Sequence, residues 1–168
     1  MKYYIDGSCK GNPGIGGWAV IVIDGDSLHD SIGSFMEPIV TNNMMELYSL
    51  IHCMCYIITI YKDKHPIIYT DSMYNINCYK SCDKWLKKPN LKNNKYVKAV
   101  CYMKEALKKH GYKLKLEKVD GHSGDKWNDE ADRLACTCAV FQKSQNLKYL
   151  PVKISNIISG MKTKDINE

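Results

Sequence analysis

From Met44 to Tyr61 the chain carries no glycine or proline and a single charged side chain, Glu46. So apolar a run is stable in water only when buried, and its length favours a helix over a strand. Its apolar heart, Leu50–Tyr61, contains His52 and is too short to span a bilayer, so a buried core helix is expected. A helix buried all round needs layers of structure about it. Lys2–Asp6 reads as a strand ending in an acid, and Pro66–Thr70 as a short apolar strand running into Asp71. Trp18–Ile23 is β-branched and aromatic, the mark of a second strand, and Gly25-Asp26 looks like a hairpin turn into a third over Ser31–Met36. Cys9–Gly17 is rich in glycine and proline and is expected to be a tight turn.

The second half alternates helix and strand. Thr41, Asn42 and Asn43 offer N-cap side chains to the core helix. Residues 72–84 suit a helix that Pro89 and Asn90 break, and Asn94–His110 suits another, stopped by Gly111. Tyr112–Val119 alternates like a strand with one exposed face, Gly121–Gly124 is a loop, and Asp125–Val140 a closing helix. The order predicts an α/β domain with a mixed sheet. Residues 141–168 are weaker in pattern; Leu147–Ile158 suits a short strand or helix, and a C-terminal tail is expected.

A chain of 168 residues can bury a core without disulfides or structural metal. The eight cysteines form three close pairs, 53/55, 78/82 and 136/138, plus Cys9 and Cys101. None is spaced C-x-x-C or set against histidines as in a zinc site, so reduced thiols are expected. Lys2–Asp6 follows Met1 at once with no apolar leader, which predicts a location without secretion: cytoplasmic, nuclear or in a viral factory. No membrane association and a monomer are expected.

The net charge is +6, and its placement matters more than its size. From Tyr74 to His110 ten lysines face only Asp83 and Glu105, a local +8 that leaves −2 for the rest. That is the footprint of a polyanion site beside a separate acidic site, although a solvated lysine-rich helix face would carry the same charge. The acids stand at telling places: Asp6 and Asp71 after strands, Glu46 near a helix start, Asp132 inside the last helix. Acids at strand ends and helix starts can meet at one edge of a sheet, where α/β proteins place their sites. Four carboxylates gathered there would repel one another unless cations held them, and hard oxygen donors suit Mg²⁺. The glycine-rich turn lacks both G-x-G-x-x-G and a following G-K-[ST], which argues against a nucleotide cofactor.

Four blocks together are specific: YIDGSCKGNPGIGG at Tyr4–Gly17, TNNMMEL at Thr41–Leu47, YTDSMY at Tyr69–Tyr74 and GHSGDKWNDEADRLA at Gly121–Ala135. In this order and spacing the chain resembles type 1 ribonuclease H. The resemblance implies an α/β fold with a mixed five-stranded sheet, three antiparallel strands then two parallel, flanked by helices. It implies a ribonuclease H domain over residues 1–140 and a tail over 141–168. It implies an endonuclease that hydrolyses the RNA strand of RNA–DNA hybrids with two Mg²⁺ ions, Mn²⁺ being able to substitute, and leaves 5′-phosphate and 3′-hydroxyl ends. Asp6, Glu46, Asp71 and Asp132 would hold the metal, Asp6 bridging both ions. His122, on the G-H-S-G loop, would assist turnover.

For the hybrid, the resemblance implies contacts from Gly7, Cys9, Asn12 and Asn42 on the RNA side and from Thr41 and Asn43 on the DNA side. Lys84–Tyr96 looks like a shortened basic protrusion, in which Trp85 could stack on sugar or base, or pack in the core. Lys80, Lys84, Lys87 and Lys88 could neutralise phosphates. Asn93 or Asn94 matches an asparagine of the phosphate pocket. Met73 and Ile39 depart from the family, standing where a glutamine-like and a basic residue are common. Two other readings are a hybrid-binding module without catalysis and a DNA nuclease of the same fold.

Overall fold

The computed structural model describes residues 1–146. Ten elements follow in order: β1 (Lys2–Lys10), β2 (Gly14–Asp24), β3 (Ser27–Val40), α1 (Asn42–Tyr56), a π-helical turn (Ile57–Tyr61), β4 (Ile67–Thr70), α2 (Met73–Trp85), α3 (Asn94–Lys109), β5 (Lys115–Lys118) and α4 (Lys126–Phe141). The strands form one sheet in the order β3-β2-β1-β4-β5. β1, β2 and β3 pair antiparallel, whereas β4 joins β1, and β5 joins β4, in parallel. The expected mixed sheet is therefore the observed one.

The two faces of the sheet separate by the two-residue period of a strand. Tyr3, Ile5, Trp18, Val20 and Val22 pack with Leu47, Leu50, Ile51 and Met54 of α1. Tyr4, Ala19, Ile21 and Ile23 pack with Ala131, Leu134, Ala135 and Cys138 of α4. The apolar segment from Met44 is the core helix, long and apolar enough to cross a membrane by composition, but largely buried inside the molecule. His52 lies wholly inside it, its ring centroid 4.3 Å from those of Trp18 and Tyr48. Burial lowers its pKa from 6.5 to about 3, so it is neutral.

Several boundaries differ from expectation, β2 among them, which starts at Gly14 rather than Trp18. β1 continues past Asp6 to Lys10 because Gly7–Lys10 pairs with Ile15–Trp18, so the turn shrinks to residues 11–13. Ladder pairing has overridden the low strand propensity of the glycines. β3 begins four residues early and extends to Val40 along β2. β5 is shorter than Tyr112–Val119 because β4, its one strand neighbour among the described residues, has four residues to pair with. Of the tail expected over 141–168, the short strand or helix expected over Leu147–Ile158 lies outside the described residues. The tail's first residues run beside β3: Gln145 exchanges backbone hydrogen bonds with Gly33, and Asn146 Nδ2 donates to Asp30 Oδ1 at 3.0 Å.

One close approach sets the active edge. A Cβ on Gly7 would lie 2.3 Å from the backbone nitrogen of Glu46, so only glycine lets α1 seat its first turn on β1. Thr41 caps that helix, its hydroxyl accepting from Met44 N at 3.3 Å.

Candidate active site

β1 delivers Asp6, α1 delivers Glu46, the end of β4 delivers Asp71, and α4 delivers Asp132. Asp6 is 8% exposed. Burial, then the negative charges of Asp71 and Asp132 and more weakly of Glu46, push its carboxyl well above the usual range, while a hydrogen bond from the Gly7 backbone pulls the other way. Glu46 is raised by burial and by Asp71, and the Ser72 hydroxyl that donates to Glu46 Oε2 opposes that rise. The four acids far apart along the chain thus act on one another. Among the described residues none of the four is in an ion pair, and no three acid, imidazole or thiol groups already stand at metal-ligand spacing. The acids surround Asp6 without closing a cage.

Each acid also has a neutral partner. Ser72 holds Glu46 and caps α2, accepting from Asn75 N at 3.1 Å. Asn128, 2% exposed, donates from Nδ2 to Asp71 Oδ2 at 3.3 Å. Cys136 Sγ donates to Asp132 Oδ1 at 3.5 Å. Asp125 caps α4, accepting from the nitrogens of Trp127 and Asn128 at 3.1 Å, and so fixes the turn that carries Asn128. His122 is exposed on the loop before α4 at φ +53. That loop passes the acids closely: a Cβ on its Gly121 would lie 2.9 Å from Asp71 Oδ2.

Beside the acids runs a groove of about 670 Å³ lined by Asn12, Thr41, Asn43, Tyr74, Trp85, Lys88, Leu91, Lys92 and Asn93. Six of these were singled out in the sequence. Asn12 Oδ1 accepts from Asn42 N at 3.2 Å, which ties the β1–β2 turn to the start of α1. Asn93 takes a left-handed conformation at φ +59 and donates to the Tyr74 hydroxyl at 3.2 Å, so it is Asn93 rather than Asn94 that lines the groove. Trp85 is half-buried against Tyr74, with Lys88 Nζ 5.8 Å from its ring centre. It packs and lines the groove at once.

Other expected contacts lie outside that groove. Lys84 is exposed near the end of α2, Lys87 on the turn that follows it, and Asn42 at the start of α1. Gly7 is buried under α1, and Cys9 donates its thiol to the Val40 carbonyl at 3.1 Å. Met73 and Ile39 are exposed, 50% and 66%. Sequence reasoning missed Tyr74, Leu91 and Lys92 in the groove and Ser8, Ser72 and Cys136 near the acids. Ser72 stands in the T-D-S block and Lys92 in the basic segment, so both had a signal; Cys136 had only its spacing of four from Asp132.

The family model described as RNase H matches residues 1–139. A ribonuclease H of Syntrophomonas wolfei is 34% identical over 142 residues, covering 79% of this chain and 90% of the relative. That of Wolbachia pipientis wMel is 38% identical over 141 residues, covering 79% and 90%. Among solved structures, the ribonuclease H1 of Halobacterium salinarum shares the fold at a TM-score of 0.62 and 20% identity, covering 82% of this chain and 95% of that one. LC11 ribonuclease H1, solved in complex with an RNA/DNA hybrid, does so at 0.63 and 21%, covering 83% and 96%. With the sheet order and the match over residues 1–139 agreeing, the chain belongs to the ribonuclease H family and is a ribonuclease H enzyme.

Proposed function

We propose that the protein is a Mg²⁺-dependent endonuclease that hydrolyses the RNA strand of RNA–DNA hybrids by two-metal-ion catalysis and leaves 5′-phosphate and 3′-hydroxyl ends. One observation carries this reading: Asp6 is buried among three further carboxylates, and among the described residues no protein cation is paired to any of them. Buried like charges of that kind are costly unless a cation compensates them. Carboxylate oxygens fit Mg²⁺, and Mn²⁺ accepts the same donors. Asp6, Glu46, Asp71 and Asp132 would hold the ions, which supply activation of a water and neutralisation of charge at the leaving oxygen.

The chain's own residues do the rest. Ser72 and Asn128 orient Glu46 and Asp71. His122 stands on an exposed loop against Asp71, where its imidazole can take up or give a proton as products leave. The groove places amide and hydroxyl groups of Asn12, Thr41, Asn43 and Asn93 beside Trp85, Lys88 and Lys92, a mixture suited to a sugar–phosphate backbone. The hybrid held by LC11 ribonuclease H1 supports the same substrate class here. Residues 1–140 would form the catalytic domain.

The test is a labelled RNA–DNA hybrid incubated with and without Mg²⁺ beside all-DNA and all-RNA duplexes. Cutting confined to the RNA strand of the hybrid, and only with Mg²⁺, is expected, because recognition of 2′-hydroxyls excludes DNA. Hybrid binding without cleavage in Mg²⁺ or Mn²⁺, or cutting of the all-DNA duplex, contradicts it.

A further inference from the structure

Three of the four acids have a partner of obvious kind: Asp6 the Gly7 backbone amide, Glu46 the Ser72 hydroxyl, Asp71 the Asn128 amide. The partner of Asp132 is a thiol. Cys136 lies four residues on, one helical turn along the same face of α4, and its Sγ is 3.5 Å from Asp132 Oδ1. On its other side Sγ is 3.2 Å from Ser8 Oγ on β1. Ser8 follows Asp6 by two residues and so shares its face of the strand. A thiol has one proton. With that proton directed at Asp132, the Ser8 hydroxyl must donate to sulfur, and the chain runs Ser8 O–H to Cys136 S–H to the Asp132 carboxylate.

We infer that Cys136 is a positioning residue for Asp132, its thiol anchored by Ser8 and holding the carboxylate in the orientation from which it ligates a cation. The inference rests on the reading of Asp132 as a metal ligand. Outer partners of ligating carboxylates fix their rotamers, and removing one typically lowers metal affinity about 10–100-fold. Among the described residues no other hydrogen bond reaches the Asp132 carboxylate, so nothing else replaces this partner. The Ser8 anchor matters because a thiol alone is a weak donor. Tied to β1, it couples the orientation of Asp132 on α4 to the strand that carries Asp6.

The test is calorimetric titration of the full chain with Mg²⁺, without nucleic acid, for wild type and for Cys136→Ala, Cys136→Ser, Ser8→Ala, the Ser8→Ala/Cys136→Ala double variant and Asp132→Asn. Cys136→Ala is expected to weaken Mg²⁺ binding about tenfold. Cys136→Ser, which keeps a donor and an acceptor, should restore binding close to wild type. Ser8→Ala should cause a smaller loss, and the double variant should be no worse than Cys136→Ala, since both act through one contact. Wild-type affinity in Cys136→Ala, or a Cys136→Ser as weak as Cys136→Ala, overturns the inference while leaving Asp132 a ligand. Unchanged affinity in Asp132→Asn overturns the ligand reading and this inference with it. Should Cys136→Ala fail to fold, Ser8→Ala decides: wild-type affinity there overturns the anchored chain.

Discussion

The α-carbon of Gly7 faces the backbone of Glu46 so closely that a methyl group would sit 2.3 Å from its amide nitrogen and from the Met45 carbonyl carbon. Two acids of the site are joined by this contact, since Asp6 precedes Gly7 on β1 and Glu46 lies one turn into α1. Gly7→Ala must push α1 off the strand. Overpacking of this kind costs about 1–3 kcal/mol. Denaturant unfolding should show that loss, and hybrid cleavage should fall by more than the loss of folded protein explains. A variant with wild-type stability and turnover would mean that α1 does not depend on the contact.

His52 makes a separate prediction about acid. The folded protein holds it neutral with a pKa of about 3, whereas the unfolded chain binds a proton near 6.5. Between those values the unfolded state carries the extra proton, so stability contributed by His52 is complete above about 6.5 and is lost steadily as pH falls toward 3. The raised carboxyls of Asp6 and Glu46 act in the opposite sense, so the effect is read as a difference between proteins. His52→Leu should lose less stability than wild type on acidification from pH 7 to 4. Parallel curves would show that His52 titrates alike in both states.

The groove predicts how the protein grips a polyanion. Trp85→Ala should weaken hybrid binding by about 1–3 kcal/mol if a base or sugar stacks on its ring. Lys88→Ala and Lys92→Ala should each weaken binding evenly across sequences and reduce the slope of log affinity against log salt by about 1. Filter binding over a salt series measures both. An unchanged slope in the lysine variants would remove them from the phosphate contacts.

The sequence carried different parts of this structure unequally. The apolar run from Met44 and the β-branched Trp18–Ile23 declared their elements, because burial imposes composition directly. The Thr41 cap was visible for a similar reason: an N-cap needs one of few side chains. The extent of β1 was not, because Gly7, Gly11 and Gly14 look like a turn until β2 is there to pair with them. The order of strands came with the family resemblance; periodicity alone does not say that β4 pairs with β1. At the site, Asp6, Asp71 and Glu46 stood out as acids near element ends, whereas Asp132, inside α4, came with the family resemblance. Which side chains pair with which was not visible, since Ser72 reaches Glu46 across 26 residues and Ser8 reaches Cys136 across 128, and neither distance has a local pattern.

Hybrid cleavage requires Asp71 to act with Asp6, Glu46 and Asp132 as one cation site. Asp71→Asn keeps the shape of the side chain and removes its charge, and Asn128 can still hydrogen-bond to the remaining carbonyl. The decisive measurement is Mg²⁺-dependent cleavage of a labelled RNA–DNA hybrid by this variant, alongside its affinity for the same hybrid. Loss of cleavage with hybrid binding largely intact is the predicted result; Mg²⁺-dependent cutting at the wild-type rate would contradict the assignment.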